Sequence, residues 1–217
     1  MESTASEGDL YRPLYMLSDV DRLARVSRGT AKRWLWGYGQ YQAVSGSSSH
    51  GYSAASFLDL VEVIAIGKLK QRGFPLPLIR QIVQYTQQLL GMERPLISAQ
   101  FRIAGRDIFI EVEDRLIEVG RHRGQTAWHE VLAPFLEDLD YTQDLASTWW
   151  PRGHAGHIQV SPYFGYGFPV IAGYGVRTEI IRERYVANDP IDVIAKDFRL
   201  SPLFVEAALR FELEESA

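Results

Sequence analysis

Between Ser18 and Gly37 five basic side chains, Arg22, Arg25, Arg28, Lys32 and Arg33, stand against two acids, Asp19 and Asp21, a surplus of three positive charges. The whole chain carries a formal net charge of −4, so affinity for nucleic acid has to be local, and this island is where the sequence concentrates it. Residues 27–33, Ser-Arg-Gly-Thr-Ala-Lys-Arg, mix hydroxyls with long cations. Such groups hold phosphate oxygens and reach base edges in the major groove of duplex DNA. The same charges would also suit a solvated helical hairpin, which is the plainer alternative.

Other chemistry is argued mainly by exclusion. The chain has no cysteine, which removes disulfides, thiolate zinc sites, iron–sulfur clusters and cysteine nucleophiles. His154 and His157 are spaced as a ligand pair, but their glycine-rich surroundings offer no convergent carboxylate, so they are expected to be linker histidines. The segment Ser161-Pro-Tyr-Phe-Gly165 lacks the strand-to-helix elbow of a hydrolase. No acid–base pair accompanies the glycine loop near Gly173, and no metal, cofactor or enzymatic activity is expected.

The elements that would position the basic island follow from composition and pattern. At 217 residues, 46% hydrophobic and 23% charged, the chain reads as globular, with one large or two to three small domains. Its longest apolar run, about Leu60 to Leu69, is broken by Glu62 and Lys68, so no membrane span is expected. The acidic N-terminus resembles no secretory signal, and a cytoplasmic location is expected. Met1 to Leu10 reads as a frayed leader.

Apolar positions Leu17, Val20, Leu23, Ala24 and Val26 predict a short helix capped by Ser18. Ser27 is placed to cap a second, with Ala31, Trp34 and Leu35 inward. Gly37 to Tyr52 predicts a hairpin. Ser53 or Ser56 opens a helix to about Arg72, and Pro75-Leu76-Pro77 opens another that stops at Gly91. Phe101 to Ile103, Asp107 to Val112 and Arg115 to Val119 predict a small β-meander. A helix follows with Trp128, Val131, Leu132, Phe135, Leu136 and Leu139 on one side, where Pro134 would bend or split it. Trp149 to Gly153 reads as a linker. Ile158 to Val160 predicts a strand, and three helices are signalled by Thr178, by Asp189-Pro190 with a capping box to Asp192, and by Ser201-Pro202.

The succession of helix, turn, helix, glycine-rich hairpin and two further helices resembles the winged DNA-binding domain of the MerR superfamily, over about Tyr15 to Gly91. The likeness rests on Leu17-Ser-Asp-Val20, on Val26-Ser-Arg-Gly-Thr-Ala-Lys-Arg-Trp34, and on Tyr52-Ser53 leading into the long helix. It implies that Ser27, Arg28, Thr30, Lys32 and Arg33 face DNA, that Trp34 packs inward, and that Gly39 to Gly51 is the wing. That wing contains no Lys or Arg.

Toward the other end, Gly167-Phe-Pro-Val-Ile-Ala-Gly-Tyr-Gly-Val-Arg-Thr178 and the three helices after it resemble a small prokaryotic domain of unknown function, over about Gly156 to Phe211. That domain occurs in antitoxins of VapBC-like modules, beside toxins with a PIN-like nuclease fold. Tyr174, Gly175 and Arg177 stand where it usually has Thr, Arg and Pro. From Asp189 to Ala217 seven acids face three bases, a surplus of four negative charges, which suits a basic protein partner better than DNA. Phe164, Tyr166, Phe168 and Tyr174 could anchor such a partner, or could be buried within the domain.

The expected architecture is therefore α+β and mainly helical, in three units. Residues 12–92 would form the winged helix-turn-helix, 93–152 the central meander and helix, and 153–217 the three-helix domain with a short β element. The expected function is a VapB-type antitoxin that is a homodimer, binds double-stranded operator DNA and neutralises a PIN-like nuclease toxin. The alternative is a stand-alone MerR-like regulator answering an unknown ligand.

Overall fold

The computed structural model describes residues 7–44, 54–91, 93–103 and 128–215. Helices come first: α1 (Glu7–Tyr11), α2 (Leu17–Leu23), α3 (Thr30–Trp36), α4 (Phe57–Gln71) and α5 (Leu76–Leu90), then a helical stretch at 99–103, α6. Next are α7 (Trp128–Glu137), β1 (Leu139–Thr142), β2 (Leu145–Trp149), β3 (Ile158–Gln159) and β4 (Val170–Ile171). The chain closes with α8 (Thr178–Val186), α9 (Ile191–Phe198) and α10 (Pro202–Glu215). Both strand pairs, β1–β2 and β3–β4, are antiparallel. The fold is α+β and dominated by helices, as expected.

Helix α4 is the centre of the molecule. Nearly all of its side chains are buried, including Asp59 and Glu62, because a helix apolar on all sides must be covered on all sides. Ser56 starts it with a capping box, its hydroxyl accepting from the Asp59 amide while the Asp59 carboxylate accepts from the Ser56 amide. The two buried acids are bridged by Arg94, whose guanidinium donates to Asp59 at 2.7 Å and to Glu62 at 2.6 Å. Burial alone would lower the pKa of Arg94, but the charges of Glu62 and Asp59 outweigh it and raise it. Buried charges persist in this way only when paired and hydrogen-bonded.

Several expectations need correction. Phe101 to Ile103 is helical, not the first strand of a meander: the Ser98 hydroxyl accepts from the Phe101 amide at 3.1 Å and so starts a helix that buries the Phe101 ring. The other two predicted strands, 107–112 and 115–119, lie outside the described residues. Leu10 belongs to α1 and is fully buried, so residues 7–10 are no frayed leader. Helix α2 is capped at Met16 and α3 at Gly29, not by Ser18 or Ser27. Asp189 forms no capping box with Asp192, because its carboxylate is engaged by Arg184. Pro134 does not split α7, which runs through it.

Leu139 begins a hairpin rather than ending that helix. Gln143 and Asp144, at φ 49° and 68°, form the turn between β1 and β2, where left-handed backbone matches the twist of the strands. The supposed linker is also structured. Trp149 ends β2, is buried, and exchanges backbone hydrogen bonds of 2.8 Å in both directions with Val160. Buried apolar residues from Leu10 to Phe211 form one contiguous cluster, shared by the three segments expected as units.

Candidate nucleic-acid interface and partner surface

Helices α2 and α3 are joined by a turn whose geometry is imposed by one buried carboxylate. Asp21, 5% exposed, accepts from the Gly29 amide at 2.6 Å and from the Ala31 amide at 2.7 Å. It therefore does at a distance of eight and ten residues what an N-cap side chain does locally. Gly29 sits at φ 80° with open space around its α-carbon, a left-handed position that glycine occupies without strain. Ala31, Trp34 and Leu35 pack inward as expected.

This arrangement leaves Ser27, Arg28, Lys32 and Arg33 exposed. Thr30 is different: it is 6% exposed, and its hydroxyl accepts from the Arg33 guanidinium at 3.0 Å. Its part is to hold Arg33, so it does not belong to the exposed set. Since the charge of Asp21 is buried under the turn, the positive surplus at the surface exceeds the sequence count.

Three cations come together here that lie far apart in sequence. Arg33 on α3, Lys70 on α4 and Arg80 on α5 line one groove of about 560 Å³ with Trp34, Tyr38 and Tyr41. Tyr38 and Tyr41 exchange backbone hydrogen bonds of 3.0 Å around Gly39-Gln40, and their rings are 70% and 66% exposed. The Arg80 guanidinium donates to the carbonyls of Gln42 and Ala43, fastening this reversal to α5. The expected wing begins in this reversal, but residues 45–51 of it lie outside the described residues. Lys70 and Arg80 carried no signal in the sequence, because only the packing of α3, α4 and α5 makes them neighbours of Arg33 and the tyrosine pair. Exposed cations beside aromatic faces can hold phosphates and stack on bases or sugars.

The four aromatic residues near the other end divide. Phe164 and Tyr166 are exposed, 49% and 78%. Tyr174 is exposed to the same degree as Phe164, at 48%, with one side of its ring 5.1 Å from that of Phe204. Phe168 is used internally: Tyr15 packs against it at 5.7 Å and the Arg177 guanidinium lies 4.4 Å above its ring. The Tyr15 hydroxyl also donates to the Gly167 carbonyl, tying this loop to the N-terminal part of the chain.

The acidity counted from Asp189 onward is partly internal. Arg184 on α8 binds both Asp189 and Asp197. Glu212 is buried and accepts from the Thr178 hydroxyl. Asp192 and Glu206 remain exposed, so this surface is less acidic than its sequence and owes more to its aromatic and apolar side chains. His154 and His157 do not act as a pair. His154 Nε2 lies 3.1 Å from the Asp140 carboxylate, which also accepts from the Trp150 indole at 2.7 Å, whereas His157 sits edge-on to Phe204. A carboxylate does converge on His154, contrary to the reading from sequence, because β1 brings Asp140 there. Among the described residues no group of three or more His, Asp or Glu side chains could hold a metal ion, and no helix is long and apolar enough to cross a membrane.

No family model matches the chain. A Mycobacterium tuberculosis protein named "Putative antitoxin VapB45" is 23% identical over 215 residues, covering 88% of this chain and 90% of that protein. The crystal structure of Rv2018 from Mycobacterium tuberculosis superposes with a TM-score of 0.74, covering 91% of this chain and 98% of that one at 22% identity. This second likeness is one of fold.

Proposed function

We propose that the chain is an antitoxin of a type II toxin–antitoxin module, with residues 12–92 as a MerR-like winged helix-turn-helix that binds operator DNA. In this reading α3 enters the major groove, with Arg28, Lys32 and Arg33 toward the DNA and Lys70, Arg80, Tyr38 and Tyr41 beside it. The homodimer reads a two-fold symmetric operator, since one such module has a small footprint. The observation that carries the DNA reading is the gathering of cations from α3, α4 and α5 at one surface of a chain whose net charge is −4. Residues 153–217 bind and neutralise a basic, PIN-like ribonuclease, with Phe164, Tyr166 and Tyr174 as exposed anchors and 93–152 joining the two parts. The antitoxin role is supported by the name of the mycobacterial relative.

The test is binding of the full chain to its own promoter at several salt concentrations. Lys32→Ala and Arg33→Ala should each weaken operator binding by about 1–3 kcal/mol. Loss of a phosphate contact should lower affinity for all sequences and flatten the salt slope by about one unit. If both variants bind like the parent at every salt, α3 is not the reader. Footprinting that protects a single asymmetric half-site would overturn the dimer.

A further inference from the structure

The reversal that carries Tyr38 and Tyr41 away from α3 has no slack. Gly37, at φ 77°, ends the helix where an added Cβ would lie 2.5 Å from the Tyr41 carbonyl oxygen. The Val44 amide donates to the Trp34 carbonyl at 2.7 Å, and Arg80 holds the carbonyls of Gln42 and Ala43. Two rings that are largely in solvent are thereby fixed in place, and such preorganisation lowers the cost of binding a ligand. The cations of the same groove are anchored without being neutralised. Arg33 donates through Nη2 to the Thr30 hydroxyl, and Arg80 donates through Nε and Nη2 to backbone carbonyls. These acceptors carry no charge, and each guanidinium has N–H groups left. Among the described residues, no side chain lining the groove is acidic and none of its three cations is paired with a carboxylate.

From this arrangement we propose that the groove is a site for single-stranded nucleic acid. Unpaired bases stack on Tyr38 and Tyr41, and Arg33, Lys70 and Arg80 hold the phosphates of the strand. In a duplex each base is covered above and below by its neighbours, so these ring faces find no base to stack on. An unpaired base has both faces free, and aromatic side chains beside a cationic track hold single strands without reading their sequence. Guanidinium groups and an ammonium recognise phosphate, as forks and as a point charge. Leu76 and Pro77, from the start of α5, extend the apolar lining, and the volume of about 560 Å³ falls in the range of sites that enclose small molecules, which leaves room for a nucleotide. DNA and RNA strands share this chemistry. The site shares Arg33 with the operator reading and does not depend on it.

The experiment is fluorescence anisotropy of the full chain with labelled oligo(dT) and oligo(U), and with a duplex of the same length and unrelated sequence. Both single strands should bind the parent. Tyr38→Leu and Tyr41→Leu should each weaken them at least about fivefold, the loss of one stacked base, and leave the duplex within about twofold. Tyr38→Phe and Tyr41→Phe, which keep the rings, should bind as the parent does. Lys70→Gln should weaken strands and duplex alike, because a phosphate contact does not distinguish them. Binding of only one of the two strands supports the site and assigns it to DNA or to RNA. The proposal is overturned if neither strand binds at micromolar protein, or if the folded leucine variants bind both strands as the parent does. It is also overturned if those variants lose strand and duplex together, since the rings then lie against a duplex. None of these outcomes bears on the operator test with Lys32→Ala, so the two readings fail separately.

Discussion

Replacing Asp21 by Asn removes one of two carboxylate oxygens that hold the start of α3, because Oδ2 accepts from the Gly29 amide at 2.6 Å and Oδ1 from the Ala31 amide at 2.7 Å. A hydrogen bond to a charged, buried acceptor contributes about 1.5–3 kcal/mol, and a buried donor left without one costs about 1–3 kcal/mol. Asn keeps one acceptor at neutral strength and turns an NH₂ group toward the other amide, so the net loss should be about 2–4 kcal/mol. The favourable interaction of a carboxylate with the positive end of α3 is lost as well. For a chain of 217 residues, each kcal/mol corresponds to about 2–4 °C, so the melting temperature should fall by about 4–16 °C. Hydrogen exchange gives the local readout: the amides of Gly29 and Ala31 should lose protection before the rest of the core. Operator affinity should fall too, although Asp21 itself is buried. If Asp21→Asn stays within about 0.5 kcal/mol of the parent in urea unfolding and both amides stay protected, the clamp is not what sets the turn.

Removing Arg94 as Arg94→Met takes the counter-charge from the buried carboxylates of Asp59 and Glu62 and should cost about 3–5 kcal/mol in denaturant unfolding; a loss below about 1 kcal/mol would refute the pairing as the reason those acids are tolerated. Burial raises the pKa of Asp138, with Lys68 and His154 pulling the other way. Here the native state binds more protons than the unfolded one, so the associated stability is complete below the unfolded carboxylate pKa and is lost as pH rises through the folded value. Asp138→Asn should therefore remove this decline from the stability–pH curve, and an unchanged curve counts against it. Tyr166 is 78% exposed at φ 57°, so Tyr166→Asn should leave stability equal or slightly higher, since Asn tolerates left-handed backbone. Toxin capture should drop in the same variant, and undiminished capture would exclude this ring as an anchor.

Local chemistry made much of the helical framework legible. The apolar stripes of α2 and α3, the apolar run and serine opening of α4, the proline opening of α5 and its Gly91 stop all act within a few residues, and the structure places those elements where the pattern put them. The helices after Thr178, Pro190 and Ser201 were equally readable. The basic island was visible because charge along a chain is additive and needs no fold. What the sequence could not display were relations between distant residues. The β1–β2 turn uses Gln143-Asp144 rather than the Asn-Gly signature, so the hairpin left no local mark. Asp21 looked like one acid diluting a basic stretch; tertiary structure turned it into the clamp on α3 and hid its charge. Packing likewise took Thr30 off the exposed face, paired Asp189 and Asp197 with Arg184, and brought Lys70 and Arg80 to Arg33. Propensity and capping are settled over a single helical turn. Burial, ion pairing and the gathering of like charges depend on which distant surfaces meet, and only the folded chain decides that.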